Sequence, residues 1–195
     1  MDRSIPSDTT PDEPPVSTAS EQGAGRSTIV VRPPTKADKE ALASHFLEMQ
    51  EHYGAPVPYA VAAKAAVIAC KPPVHTFDPR VLVAVHGNTI LGSLVMNVTF
   101  PASELSMSLY IRDLYVAKAA RRLGVGRMLV KAGTHLAVTE GFSAVEWTTD
   151  STNKAARQLY EACGARQIDR TYFKERRGVD RPVATERRRS RSRAV

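Results

Sequence analysis

The chain has 195 residues, of which 43% are apolar and 24% charged, and a formal net charge of +7. These values fit one folded domain of ordinary soluble composition, with room for tails. Its two cysteines, Cys70 and Cys163, sit in no C-x-x-C and near no histidine cluster. They argue against a disulfide scaffold and against a structural zinc site, so no metal is expected. The opening residues MDRSIPSDTTPDEPP lack an apolar signal core, and the Ala-rich stretch 59–70 is interrupted by Lys64. Neither resembles a secretory signal or a membrane span, which predicts a soluble, cytoplasmic protein with no membrane partner.

Charge is unevenly placed. Residues 1–27 carry 2 basic and 5 acidic side chains, a net of −3, whereas residues 176–195 carry 8 and 2, a net of +6. The first segment, rich in Pro, Ser, Thr and Asp, reads as a disordered tail. The last, with Arg187, Arg188, Arg189, Arg191 and Arg193, reads as a solvated basic tail over 178–195. Such a run can also hold phosphates, but it lacks the interleaved aromatics of a nucleic-acid binder, so nucleic-acid contact is expected only weakly through it.

Between the tails, the β-branched run 28–32 predicts a strand stopped by Pro33 and Pro34. Thr35 reads as a helix N-cap with Asp38 as its capping partner. Leu42, Phe46, Met49 and Tyr53 then form one apolar face of a helix ending at Gly54. Pro56 and Pro58 precede a second helix over Tyr59–Ala69. Strands at 81–85 and Thr89–Thr99 flank the turn residues 86–88 as a hairpin, and Ser108–Val116 is a further long strand. A helix follows over 124–139, with Met128, Leu129, Ala132 and Leu136 on one face. A strand at 144–148, a helix at 153–162 and a closing strand over 166–176 complete the order β-α-α-β-β-β-α-β-α-β. That order predicts an α/β fold with a mixed sheet, hairpin-like in its first half and built from βαβ crossovers in its second.

One segment carries most of the functional signal: Arg121-Arg122-Leu123-Gly124-Val125-Gly126-Arg127. It lies between a strand ending at Val116 and the start of a helix. Small residues let the backbone approach an anion there, free N–H groups point toward it, and the arginines add positive charge. The pattern suits a pyrophosphate. A Walker A loop is excluded because no Lys-Ser or Lys-Thr follows the second glycine, and a dinucleotide fingerprint would need Gly or Ala at Leu129.

Downstream runs Asn153-Lys154-Ala155-Ala156-Arg157-Gln158-Leu159-Tyr160-Glu161-Ala162-Cys163-Gly164-Ala165. With this second motif the chain resembles the GNAT superfamily of acetyl-CoA-dependent N-acetyltransferases. Arg121, Gly124 and Gly126 match the family's pyrophosphate loop. Asn153, Ala156, Leu159, Tyr160, Gly164 and Ala165 match its Asn-x-x-Ala-x-x-Leu-Tyr helix. The likeness covers roughly 28–177, which defines the expected N-acetyltransferase domain.

The resemblance implies a mostly antiparallel mixed sheet with a splayed central strand pair, flanked by helices, and acetyl-CoA as co-substrate. It places the pantetheine arm against the backbone of Leu114, Tyr115 and Val116, and the pyrophosphate on Arg121, Arg122, Leu123, Gly124, Val125, Gly126 and Arg127. It makes Tyr160 the general acid for the leaving thiolate, the alternative being a core aromatic between Leu159 and Cys163. Asn153 either contacts the pantetheine or caps its helix. A small-molecule amine is the implied acceptor, attacking in a ternary complex, and a homodimer is a common state of such relatives.

The chain departs from the family at informative places. Lys118 and Arg122 stand where the family often has Pro and Gly. Tyr110-Ile111-Arg112-Asp113-Leu114-Tyr115-Val116 is similar to the Tyr-Ile-Glu-Asp-Phe-Tyr-Val strand of the polyamine and diamine branch, with Arg112 replacing its Glu. A guanidinium cannot serve as a base and repels a cationic amine. The expectation is therefore an acceptor other than a polyamine, such as an amine that also carries a carboxylate. Asp113 is the leading replacement base, although one position off in strand parity, with Glu51, His52 and Asp150 as further candidates. The alternative functions are a protein N-terminal or lysine acetyltransferase and a non-catalytic acyl-CoA-binding module.

Overall fold

The computed structural model describes residues 28–169 and 171. In chain order the elements are β1 (Val30–Arg32), α1 (Lys39–His52), α2 (Tyr59–Ala69), β2 (Arg80–His86), β3 (Thr89–Thr99), β4 (Ser108–Val116), α3 (Val125–Thr139), β5 (Val145–Glu146) and α4 (Lys154–Ala162). This is the expected order through α4. The closing strand expected over 166–176 is not formed at 166–169 or 171, and its other positions lie outside the described residues, as do both expected tails.

β1 through β4 pair antiparallel in sequence order, and β5 joins β4 in parallel after the α3 crossover. The β2–β3 hairpin turns at Gly87, whose φ of 57° lies in the left-handed region that glycine occupies without penalty. At the start of α1, the Asp38 carboxylate accepts from the Thr35 N–H at 2.6 Å and its hydroxyl at 2.8 Å. The same carboxylate takes both Arg32 guanidinium nitrogens at 2.8 and 3.0 Å, which ties α1 to the end of β1. The Arg32 bond holds the Asp38 carboxyl well below the usual carboxylate range.

The sheet is covered on both faces, because each strand alternates apolar side chains up and down. On one face α1 and α2 bury Leu42, Phe46, Met49, Ala62 and Ala66 against Val83, Val85 and Ile90. On the other, α3 buries Val125, Leu129 and Ala137 against Leu82, Leu94, Met96, Leu109 and Ile111. The buried stripe of α3 is centred on Val125, Leu129, Gly133 and Ala137, not on the expected Met128 and Leu136. At Gly133 the helix comes close to the sheet: a Cβ there would lie 2.6 Å from Leu94 Cδ2, so Leu94 would have to shift to admit any side chain. Among the described residues no helix is long and apolar enough to cross a membrane.

Candidate active site

β4 and β5 pair only through Leu109–Val145 and Tyr110–Glu146. The expected strand 144–148 is therefore cut to two residues, and beyond Tyr110 the remaining length of β4 has no strand beside it on that side among the described residues. The sheet opens there into a wedge with Leu114, Tyr115 and Val116 along one wall. Unpaired backbone on a strand edge is a ready partner for another extended chain.

Inside β4 the register slips. Val95 pairs with Asp113 and Met96 with Ile111, leaving Arg112 as an extra residue in a β-bulge. Ile111 and Leu114 both pack into the α3-side core, so the bulge turns Arg112 and Asp113 together to the opposite face. The parity objection to Asp113 is thereby removed. On that face the Tyr53 hydroxyl donates to Asp113 Oδ1 at 2.9 Å. Burial holds the Asp113 carboxyl above its ordinary range, and the Tyr53 bond and the Arg112 charge pull it back only in part. Tyr53 itself does not join the buried stripe of α1. It is 51% exposed and stands at the helix C-cap.

Tyr160, on α4, is close enough to Asp113 to feel its charge. Its ring packs against Trp147, just past β5, with centroids 5.0 Å apart. Its hydroxyl has no hydrogen-bond partner among the described residues. Burial raises its pKa first, and the Asp113 charge and Cys163 add to that, so the phenol stays protonated through the neutral range.

Past Val116, at the open end of the wedge, the chain turns into α3. Gly124 caps the helix with φ of 79°, and Arg122 before it has φ of 67°. No side chain caps this helix and no acidic residue stands in its first turn. The first helical bond runs from the Met128 N–H to the Gly124 carbonyl at 3.0 Å, so the amides of Val125, Gly126 and Arg127 start the helix without intrahelical partners. Gly126 packs closely: a Cβ there would lie 3.0 Å from Leu159 Cδ2, which would have to give by a few tenths of an ångström, and 3.7 Å from Val116 Cγ2. β4, α3 and α4 thus meet at one point.

The arginines of this turn differ. Arg122 and Leu123 are exposed. Arg121 folds back, its Nε donating to the Val116 carbonyl at 3.3 Å and its guanidinium 5.9 Å from the Tyr115 ring centre. Arg127 donates to the Ala162 carbonyl at 3.2 Å, bracing the end of α4 instead of standing free at the helix start. Asn153 accepts from the Ala156 N–H at 3.1 Å and is the N-cap of α4. Asp150 is spent on a local turn with Thr152. Glu51 is exposed, and the His52 ring lies 5.5 Å from that of Tyr115.

Two further residues belong to this site that sequence reasoning does not assign to it. One is Tyr53. The other is Glu48, whose Oε1 accepts from the Tyr115 hydroxyl at 2.9 Å and the Lys118 N–H at 2.8 Å. The Lys118 bond is the largest influence holding its carboxyl below the ordinary range, and together the two bonds fasten α1 to the turn after β4. Behind them, buried His45 shares a hydrogen with Ser93 at 3.1 Å, and burial lowers its pKa to about 4. The spacing of His45, Glu48 and His52, a polar stripe one step off the apolar face of α1, is the signal that marks this side of the helix.

The acetyltransferase (GNAT) family model matches residues 42–165. The uncharacterized N-acetyltransferase YhfO of Bacillus subtilis (strain 168) is 25% identical over 134 residues, 69% of this chain and 87% of that protein. The L-ornithine N5-acetyltransferase NATA1 of Arabidopsis thaliana is 31% identical over 76 residues, covering 39% of this chain and 33% of its own length. Among solved structures, the V. cholerae integron cassette protein VCH_CASS6 superposes with a TM-score of 0.65 at 26% identity, over 79% of this chain and 94% of that one. The aminoglycoside acetyltransferase meta-AAC0020, in complex with sisomicin, shares the fold with a TM-score of 0.59 at 19% identity, over 76% of this chain and 97% of that one. A wedge beside β4, an uncapped helix start at its end and a family match spanning both lead to one conclusion: the chain belongs to the acetyltransferase (GNAT) family and is an acyltransferase.

Proposed function

We propose that this protein transfers an acetyl group from acetyl-CoA to a primary amine of a small molecule, directly, with both bound together. The observation that carries the reading is the open stretch of β4 beyond Tyr110, with Asp113 on it, Tyr160 near enough to feel the Asp113 charge, and the α3 start just past Val116. Relatives named for acetylation of L-ornithine and of aminoglycosides support a small amine as the acceptor class.

The residues fit acetyl-CoA in two places. The unpartnered edge of β4 at Leu114–Val116 suits the amides of a pantetheine arm. The free amides of Val125, Gly126 and Arg127, with Arg121 and Arg122 alongside, suit a pyrophosphate, to which a helix start is complementary in charge. Leu123 and Gly124 shape that turn, and the side chain of Asn153 holds the α4 start beneath Tyr160.

When bound, acetyl-CoA supplies a thioester carbonyl for the amine to attack, with the CoA thiol as leaving group. An N–H on the β4 edge polarises that carbonyl. Asp113 faces the amine. Of the two protons the ammonium gives up, one passes through Asp113 to solvent. The other replaces the proton that Tyr160 donates to the departing sulfur. Tyr53 is a positioning residue here, fixing the Asp113 carboxylate by its hydroxyl.

Initial-velocity kinetics test direct transfer. Lines that intersect when acetyl-CoA and amine are varied together are expected. Parallel lines, the mark of a covalent acyl-enzyme, would contradict it.

A further inference from the structure

Arg112 is unusual in the molecule. It is exposed, it is the extra residue of the β4 bulge, and the bulge sets it beside Asp113 on one face. Adjacent residues on a regular strand point to opposite faces, so only the register slip brings this cation and this anion side by side. They nevertheless form no ion pair with each other. The ion pairs among the described residues are Arg32–Asp38 and Arg80–Glu140. Asp113 instead takes the Tyr53 hydroxyl, and the Arg112 guanidinium has no hydrogen-bond partner among the described residues.

An unpaired guanidinium presents a fork of donors matched to a carboxylate. Here the fork stands next to the carboxylate that faces the reacting amine, on the α1 side of the sheet. The α3 start, suited to phosphate, lies past Val116, where β4 ends four residues on from Arg112. Arg112 therefore stands apart from the phosphate end of the co-substrate.

Building on the function proposed above, we infer that Arg112 and Asp113 together select an acceptor carrying both an amine and a carboxylate, the amine turned to Asp113 and the carboxylate held by Arg112. A simple diamine offers Arg112 only a second positive charge, so the same residue that retains the amino acid rejects the diamine.

Matched substrates differing only in the carboxylate isolate this contact: lysine against cadaverine, and 2,4-diaminobutanoate against 1,3-diaminopropane. With saturating acetyl-CoA, the carboxylate-bearing member of at least one pair is expected to be preferred by about 10- to 100-fold in kcat/KM, mainly through KM, as fits loss of a charge-assisted contact. Arg112→Gln removes that preference, Arg112→Lys keeps part of it and Arg112→Glu turns it toward the diamine. Acetyl-CoA binding, measured separately, reports that each variant is folded. A wild-type enzyme that prefers the diamines, accepts only amines without a carboxylate, or keeps its preference in Arg112→Gln overturns the inference and leaves acetyl transfer standing. Absence of CoA release with every primary amine tried overturns the acetyltransferase reading and this inference with it.

Discussion

The hydroxyl of Tyr53 donates to Oδ1 of Asp113 at 2.9 Å across 60 positions of sequence, joining the end of α1 to the bulge in β4. The bond lowers the pKa of a carboxyl that burial raises. Removing it in Tyr53→Phe leaves burial less opposed, so the Asp113 pKa rises further. The acid limb of the kcat/KM–pH profile is therefore expected above the ordinary carboxylate range and at still higher pH in Tyr53→Phe. An Asp113→Asn enzyme loses the limb. A Tyr53→Phe profile superimposable on the wild type would contradict the link.

At Gly124 a prediction rests on backbone alone. The φ is 79° and no atom lies within 4 Å of where a Cβ would stand, so a side chain there finds space but a strained conformation. Gly124→Ala should cost about 1–2 kcal/mol of stability, the penalty for an L-residue in the left-handed region, and Gly124→Asn less. Thermal melts with and without acetyl-CoA check this. Equal melting temperatures for wild type and Gly124→Ala would mean the turn is not held as described.

His45 predicts an acid-side weakness. Its ring is buried, with a folded pKa of about 4 against 6.5 for a free ring, because burial disfavours the charged form more than nearby Glu48 restores it. The unfolded chain therefore binds more protons between those values, so this contribution is complete above pH 6.5 and is lost as pH falls toward 4. The full loss is about 3 kcal/mol. Denaturant unfolding at pH 7, 5.5 and 4 should show His45→Asn less stable at pH 7, with the gap to wild type narrowing toward pH 4. A gap constant with pH would contradict the buried neutral ring.

Much of this arrangement is legible in the sequence because it is written locally. The β-branched runs around residues 86–88 specify the hairpin, and the glycines at 124 and 126 mark the turn into α3. What escapes depends on pairing. β5 reads as five residues by composition yet pairs over two, since where a neighbouring strand diverges is decided by packing. The bulge leaves a faint local trace: Ile111 and Leu114, two core residues separated by the charged pair Arg112 and Asp113, break the period of two. Tyr53 falls at helical spacing after Met49, so it reads as core, and only the position of β4 makes it a partner for Asp113. Glu48 is hidden the same way, its partners Tyr115 and Lys118 arriving from a strand and a turn some 70 residues on.

Acetyl transfer to an amine, with Tyr160 protonating the leaving sulfur, is checked by CoA release from acetyl-CoA across a panel of amines, amino acids and aminoglycosides, comparing wild type with Tyr160→Phe. Turnover is expected with at least one primary amine, with a fall of about 10²- to 10⁴-fold in kcat for the variant, the scale of a lost general acid, and acetyl-CoA affinity retained. An undiminished rate in Tyr160→Phe, or no CoA release with any amine, would contradict it.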